Sequence, residues 1–175
     1  MQKDILFVTQ CSGAKNGAGG PLTLYTSERI QRFGRMCILA GVSWAIVSAR
    51  YGLFLPSEQH DRYDTKLKFS HGQVFVYEKV NDREQILPSS EAHVNWLVQR
   101  LHNRFEELGI RRVVYYVGGA PERICSYLLV VHQALDRCQR LHYRPDDVVT
   151  CVRRMGAIYI ANGLAELEVK LRQAE

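Results

Sequence analysis

Three short apolar runs decide most of what this chain can fold into. "DILFVT" (4–9), "SWAIVSA" (43–49) and "RRVVYYV" (111–117) are too short for helices and rich in β-branched and aromatic residues. Segments with helical spacing follow them. Ile30, Phe33, Cys37 and Ala40 recur near helical steps, with Thr26 or Ser27 placed to cap the start and Gly41 the end. "SSEAHVNWLVQRLHNRFEELG" repeats Val94, Leu97, Leu101, Phe105 and Leu108 at three- and four-residue steps and closes on Gly109. "GGAPERICSYLLVVHQALDRC" continues the third run as a turn and a helix, with Pro121 in its first turn. Strands alternating with helices at these lengths suit parallel crossovers. The expected fold is α/β, a three-layer, mostly parallel sheet covered on both faces.

The remaining segments are less periodic. Residues 73–88, "QVFVYEKVNDREQILP", alternate around "ND" and predict a small surface β-hairpin, an insertion at about 66–90. "RYGLFLPSEQHDRYDTKL" reads as a loop with a short helical turn after Pro56. "DVVTCV" reads as a short strand and "AIYIANGLAELEVKLRQ" as a terminal helix. No repeat or linker divides the chain, so residues 1–175 read as one domain.

Composition narrows the class. No apolar run approaches the ~20 residues of a membrane span, so no membrane partner is expected. The start, "MQKDILFVTQ", lacks the apolar core of an export signal, and the expected location is cytoplasmic. The five cysteines (Cys11, Cys37, Cys125, Cys138, Cys151) form no CxxC pair. That argues against a disulfide framework and against a structural zinc site. No metal and no cofactor is expected. Net charge is +5, with 17 Arg against 6 Lys. Arginine's planar fork suits phosphate and makes an anionic partner plausible; a compositional bias toward arginine accounts for the same count.

Chemistry concentrates where the three runs end: "TQCSGAKNGAGG", "SARYGL" and "VGGAPER". In a parallel sheet these ends share one edge, where ligands bind. In the first loop, Gly13 lets the backbone turn closely, and successive amides can form an anion nest. Lys15 can be a point charge for phosphate or carboxylate, or an amine nucleophile if deprotonated. Ser12 adds a hydroxyl and Cys11 a thiol whose reactivity depends on an electropositive site. The GK[ST] ending of a P-loop is absent, and "NGAGG" reads as slack. In the second loop, Arg50 can pair with an anion, Tyr51 can stack on a ring, and Gly52 permits a turn. In the third, Gly118 and Gly119 precede a helix N-terminus that favours an anion. Each loop taken alone is also explained as an ordinary turn.

Other signals are weaker. His60 lies near Asp61, Tyr63 and Asp64, where a general base is conceivable, although a solvated loop explains it as well. His93, His102 and His132 read as helix-surface residues, Trp44 and Trp96 as core, and Asp136 has no inferable partner.

The ordered motifs "CSGAK", "LYTS" before a helix, "WAIVSARYGLFLP" and a downstream "RYD" carry a resemblance. They resemble a widespread uncharacterised α/β family of bacteria and archaea reading Cys-Ser-x-x-Lys, Leu-Tyr-x-Ser and Ser-Ala-Lys-x-Gly-Leu. The order is more distantly similar to peroxide-stress proteins of the YaaA type and to the lysine-motif domain of archaeosine synthase. The resemblance covers roughly residues 5 to 65. It implies a Rossmann-like, uracil-DNA-glycosylase-like core acting on a nucleotide, nucleobase or nucleic acid. It carries over to Cys11, Ser12, Lys15, Tyr25, Ser27, Tyr51 and Gly52. Arg50 stands where the family has lysine. The synthase's closing histidine is absent, Arg29 and Ile30 being there instead, so its reaction does not transfer.

Three readings follow. The first is an enzyme of nucleic-acid modification, by glycosyl or group transfer, with Lys15, Ser12 and Cys11 at the chemistry. Gly13, Tyr25, Ser27, Arg29, Arg50, Tyr51, Gly52, Gly118 and Gly119 would then hold the ligand. The second is a nucleotide- or nucleic-acid-binding protein without turnover. The third is a stress-response protein with a redox-active Cys11. The hairpin also offers an edge through which two copies could pair as a homodimer.

Overall fold

The computed structural model describes residues 4–118, 124–136, 145–154 and 156–174. The expectations for Gly119 and Pro121 lie outside the described residues. In chain order the first half comprises β1 (Ile5–Gln10), β2 (Ala18–Gly19), α1 (Pro21–Leu24), α2 (Glu28–Leu39), β3 (Trp44–Ser48), β4 (Gly52–Phe54) and β5 (His60–Asp61). The second half comprises β6 (Lys66–Ser70), β7 (Gln73–Val80), β8 (Arg83–Ile86), α3 (Ser90–Leu108), β9 (Arg112–Tyr116), α4 (Cys125–Asp136), α5 (Pro145–Arg154), β10 (Ile158–Ala161) and α6 (Leu164–Ala174).

The main sheet has five strands in the order β10-β9-β1-β3-β4. β1 runs parallel to β3 and β9, and β9 to β10, while β4 turns back antiparallel to β3. Alternation along each strand then builds two cores. Leu6, Val8, Ala45 and Val47 meet Leu97, Leu101 and Phe105 of α3 and the buried side of α4. Phe7, Trp44 and Ile46 meet Ile30, Phe33 and Cys37 of α2 and Leu167 and Leu171 of α6. Helices thus cover both faces, which makes the expected three-layer, mostly parallel sheet.

Four local expectations change. "RYGLF" contains β4, where Leu53 and Phe54 are both buried, so it lacks the one-sided alternation of a surface strand. "DVVTCV" lies within helix α5; Val148, Val149 and Val152 form a buried stripe at helical spacing, which a short apolar window cannot distinguish from a strand. "AIYIANGLAELEVKLRQ" divides into β10 and α6, with Ile158 and Ile160 buried on either side of exposed Tyr159. The expected hairpin is present as β7 and β8 turning at Asn81–Asp82, but β6 adds to it, so the insertion is a three-stranded antiparallel sheet, β6-β7-β8. It does not lie free on the surface: Leu67 and Val76 are buried, and Val76 N donates to Ser90 Oγ at 2.8 Å.

Several side chains are also reassigned. Trp96 is 45% exposed, whereas Trp44 is core. His132 is buried with Nδ1 3.1 Å from the Asp136 carboxylate, and burial lowers its pKa. His93 Nε2 lies 2.8 Å from Ala49 O and His102 Nδ1 lies 3.0 Å from Ala134 O, so these rings tie α3 to its neighbours.

Both turns of the small sheet need left-handed backbone, at His71–Gly72 (φ 49 and 77) and Asn81–Asp82 (φ 48 and 61). Asp82 pays a steric cost there that glycine would not. Its exposed ion pair with Lys79 is worth little. Asp82→Gly is therefore expected to stabilise the chain by about 0.5–1 kcal/mol, read as a higher midpoint in thermal or urea unfolding.

Candidate functional site at the carboxyl edge of the sheet

The strand order reverses direction at β1: the chain moves from β1 to β3 on one side and later to β9 on the other. In a parallel sheet that reversal opens a crevice at the carboxyl ends. The three loops singled out above leave those ends at Gln10, Ser48 and Tyr116.

The first loop is ordered by its own two motifs. Lys15 and Tyr25 form an antiparallel bridge, with Asn16 N donating to Leu24 O (2.8 Å) and Thr26 N to Ala14 O (3.0 Å). "CSGAK" and "LYT" are thus one structural unit. The "NGAGG" segment is not slack. Ala18 and Gly19 pair with Asp61 and His60, so β2 and β5 clip residues 60–61 onto the first loop. A Cβ at Gly19 would sit 2.8 Å from Thr23.

This pairing places Lys15 inside. It is 7% exposed, with Nζ 4.1 Å from the Tyr63 ring centroid and 5.9 Å from that of Tyr25. Burial lowers its pKa, the charges of Lys66 and Arg62 push the same way, and Cys11 and Asp64 oppose them. Beneath it runs a chain of hydroxyls. Tyr25 and Tyr63 lie 2.5 Å apart, and Ser48 Oγ donates to Tyr63 OH at 2.8 Å while accepting from the amides of Arg50 and Tyr51. Burial holds both phenols above their ordinary pKa, so they stay neutral donors and acceptors.

Arg29, at the start of α2, is half-buried across the switch point. Its guanidinium donates to Thr9 Oγ1 and, at 2.8 Å, to Gln10 O. Thr9 Oγ1 donates to Tyr116 O at 2.7 Å, joining the ends of β1 and β9. Gly118 packs on Arg29: a Cβ there would lie 2.8 Å from Arg29 Cδ, and its φ of 61 is left-handed. Cys11 Sγ is 3.2 Å from Tyr127 OH. Among the described residues neither Lys15 nor Arg29 pairs with a carboxylate. Burying unpaired cations is costly, and a converging anionic group would offset that cost.

Not every candidate reaches the crevice as expected. Tyr25 is fully buried and its hydroxyl is taken by Tyr63, so it supports the site from below. Tyr51 stacks on His60 with centroids 4.0 Å apart, meets Tyr63 edge to face at 5.2 Å and donates to Asp61 O at 3.1 Å, so one ring face and its hydroxyl are already taken. The same stack commits His60 to packing. Arg50 pairs with Glu78 at 3.4 Å. Gly52, at φ 81, accommodates Arg100, which donates from Nε to Tyr51 O at 2.8 Å. Ser12 Oγ accepts from Ala14 N at 3.1 Å, a local turn bond. Gly13 is exposed with open space around it. Ser27 precedes α2 without capping it, and its Oγ is buried with no hydrogen-bond partner among the described residues.

Residues the loop argument missed are Thr9, Ser48 as a hydroxyl hub, Tyr63 and Tyr127. Tyr63 had a signal in the "RYD" motif and Ser48 at the head of "SARYGL"; Thr9 and Tyr127 had none. Comparison with models of protein families, with curated proteins and with solved structures finds no match.

Proposed function

We propose that this chain acts on a nucleotide, a nucleobase or a nucleic acid at the carboxyl edge of its sheet, by glycosyl or group transfer. One observation carries the reading: Lys15, buried over Tyr63, and Arg29, bonded to Thr9 and Gln10 at the end of β1, both lie within electrostatic reach of Cys11, and neither is paired with a carboxylate among the described residues. An anionic group such as a phosphate fits two such cations, Arg29 as a fork and Lys15 as a point charge. The resemblance of "CSGAK", "LYTS" and "SARYG" points the same way and to a uracil-DNA-glycosylase-like form of the fold. Lys15 is the group nearest the reacting atoms; the hydroxyl chain of Tyr63, Tyr25 and Ser48 holds the floor beneath it.

A second reading, ligand binding without turnover, is favoured by the floor itself. The hydroxyls of Ser48, Tyr25 and Tyr63 are spent on one another, and among the described residues no carboxylate hydrogen-bonds them to act as a base.

Thermal shift and calorimetry with nucleotides, nucleobases, oligonucleotides and inorganic phosphate test both. Phosphate-bearing ligands are expected to raise the melting temperature of the wild type. Lys15→Met should weaken them roughly 10- to 150-fold, the loss of one charge-assisted hydrogen bond. Binding of no member of the panel would sink the proposal. Binding without product after long incubation would select the second reading.

A further inference from the structure

The outer face of the small sheet has no role in the crevice. Its inner face is occupied, because Leu67 and Val76 are buried against α3 and α4. The outer face of β7 carries Phe75 and Tyr77, two residues apart, both half-buried. That spacing is about 6.7 Å, enough to offer each ring to a different base. Across the sheet, Lys68 stands opposite Phe75 and Lys66 opposite Tyr77, while Ile86 flanks Tyr77 from the other side at 49% exposure. Lys68 Nζ lies 4.7 Å from the Tyr77 ring centroid.

The charges are arranged rather than scattered. Lys66, Lys68 and Lys79 share this face with Glu84, and Lys79 pairs with Asp82 of the adjoining turn, so three ammonium groups stand against two carboxylates. Lys66 and Lys68 both bind Glu84, which fixes two ammonium groups side by side. The face also leads to the crevice. Lys66 opens β6 just after Tyr63–Thr65, and its charge, with that of Arg62, acts on Lys15.

We propose that this face is a docking platform for single-stranded nucleic acid that runs into the crevice at Lys15. The inference deepens the functional reading above and, for the crevice end, rests on it. Stacking on Phe75 and Tyr77 would be tolerant of sequence, and the lysines would follow the phosphates. The substrate class is then a strand rather than a free nucleotide.

Fluorescence anisotropy with labelled poly(dT) and poly(U) oligonucleotides of about 15 nucleotides tests it. Phe75→Ala and Tyr77→Ala are each expected to weaken binding roughly 5- to 150-fold, and Tyr77→Phe should keep it. Lys66→Gln with Lys68→Gln should reduce the salt slope by about 0.7 per lysine. Thermal melting of each variant separates misfolding from lost contacts. Wild-type affinity in both alanine variants overturns the platform, as does equal loss in Tyr77→Phe. So does a dimer by sedimentation that Tyr77→Ala dissociates, since the face would then bind a second copy. If mononucleotides bind but no oligonucleotide does, the platform fails and the crevice reading stands. If oligonucleotide binding survives Lys15→Met and is lost in Tyr77→Ala, the platform stands and the crevice reading fails.

Discussion

Lys15→Met is expected to melt at a higher temperature than the wild type at neutral pH. Lys15 is nearly buried, its ammonium has no carboxylate partner among the described residues, and burial lowers its pKa from the ordinary 10.5. A lowered pKa means that the folded state holds the proton less readily than the unfolded state. Below the lowered value both states are protonated, and the fold bears the full cost of the buried charge. As pH rises from there toward 10.5, the folded chain releases its proton first and stability increases. Methionine keeps the stem over Tyr63 and removes the charge. Its advantage should therefore be largest near neutral pH and shrink as the solution becomes alkaline. Paired melts of the two proteins across that range check this. A variant that melts lower than wild type throughout would show that Lys15 stabilises the fold rather than serving a ligand.

Leu101→Ala carries the largest expected loss of stability. Leu101 is fully buried on α3, which touches the main sheet at β4, the small sheet at β7, and α4. Such a site cannot collapse around a cavity, so the cost is about 2–5 kcal/mol, a large part of a total of about 5–15 kcal/mol. Gln99→Ala, on the exposed side of the same helix, should stay within about 0.5 kcal/mol of wild type. Urea unfolding of the pair checks the contrast; a Leu101→Ala loss below about 1 kcal/mol would mean that α3 is not the common support. The site should respond as well. His93 and Arg100, on the same helix, bond Ala49 O and Tyr51 O and hold the second loop in place.

How much was legible differs between elements for a physical reason. β1, β3 and β9 could be read because each is a short unbroken apolar run, and α2 and α3 because burial recurs at helical spacing. α5 could not, because Val148, Val149 and Val152 fit a short strand as well as a helical stripe. β4 and β10 were hidden because each is a few residues long and joins the sheet through partners distant in sequence. β6 went unread although it alternates, Lys66 and Lys68 standing outside buried Leu67, because it is five residues long and lysine is a poor strand former. Of the site, Lys15 was legible in a motif and Arg29 by its place beside one. The fates of Tyr51 and Arg50 were not, since each is claimed by a side chain or carbonyl elsewhere in the chain.

The sequence alone determined the alternating architecture and the convergence of three strand ends on one edge. Periodicity and parallel crossovers require both, whatever the side chains do at the end. Only the tertiary structure decided which of those side chains stay available. The bridge between Lys15 and Tyr25 and the clip of β2 on β5 bury Lys15 over Tyr63. The Thr9–Tyr116 bond sets Arg29 across the switch point. These are long-range hydrogen bonds and ring contacts, and no local pattern of residues records which distant partner a polar group will find.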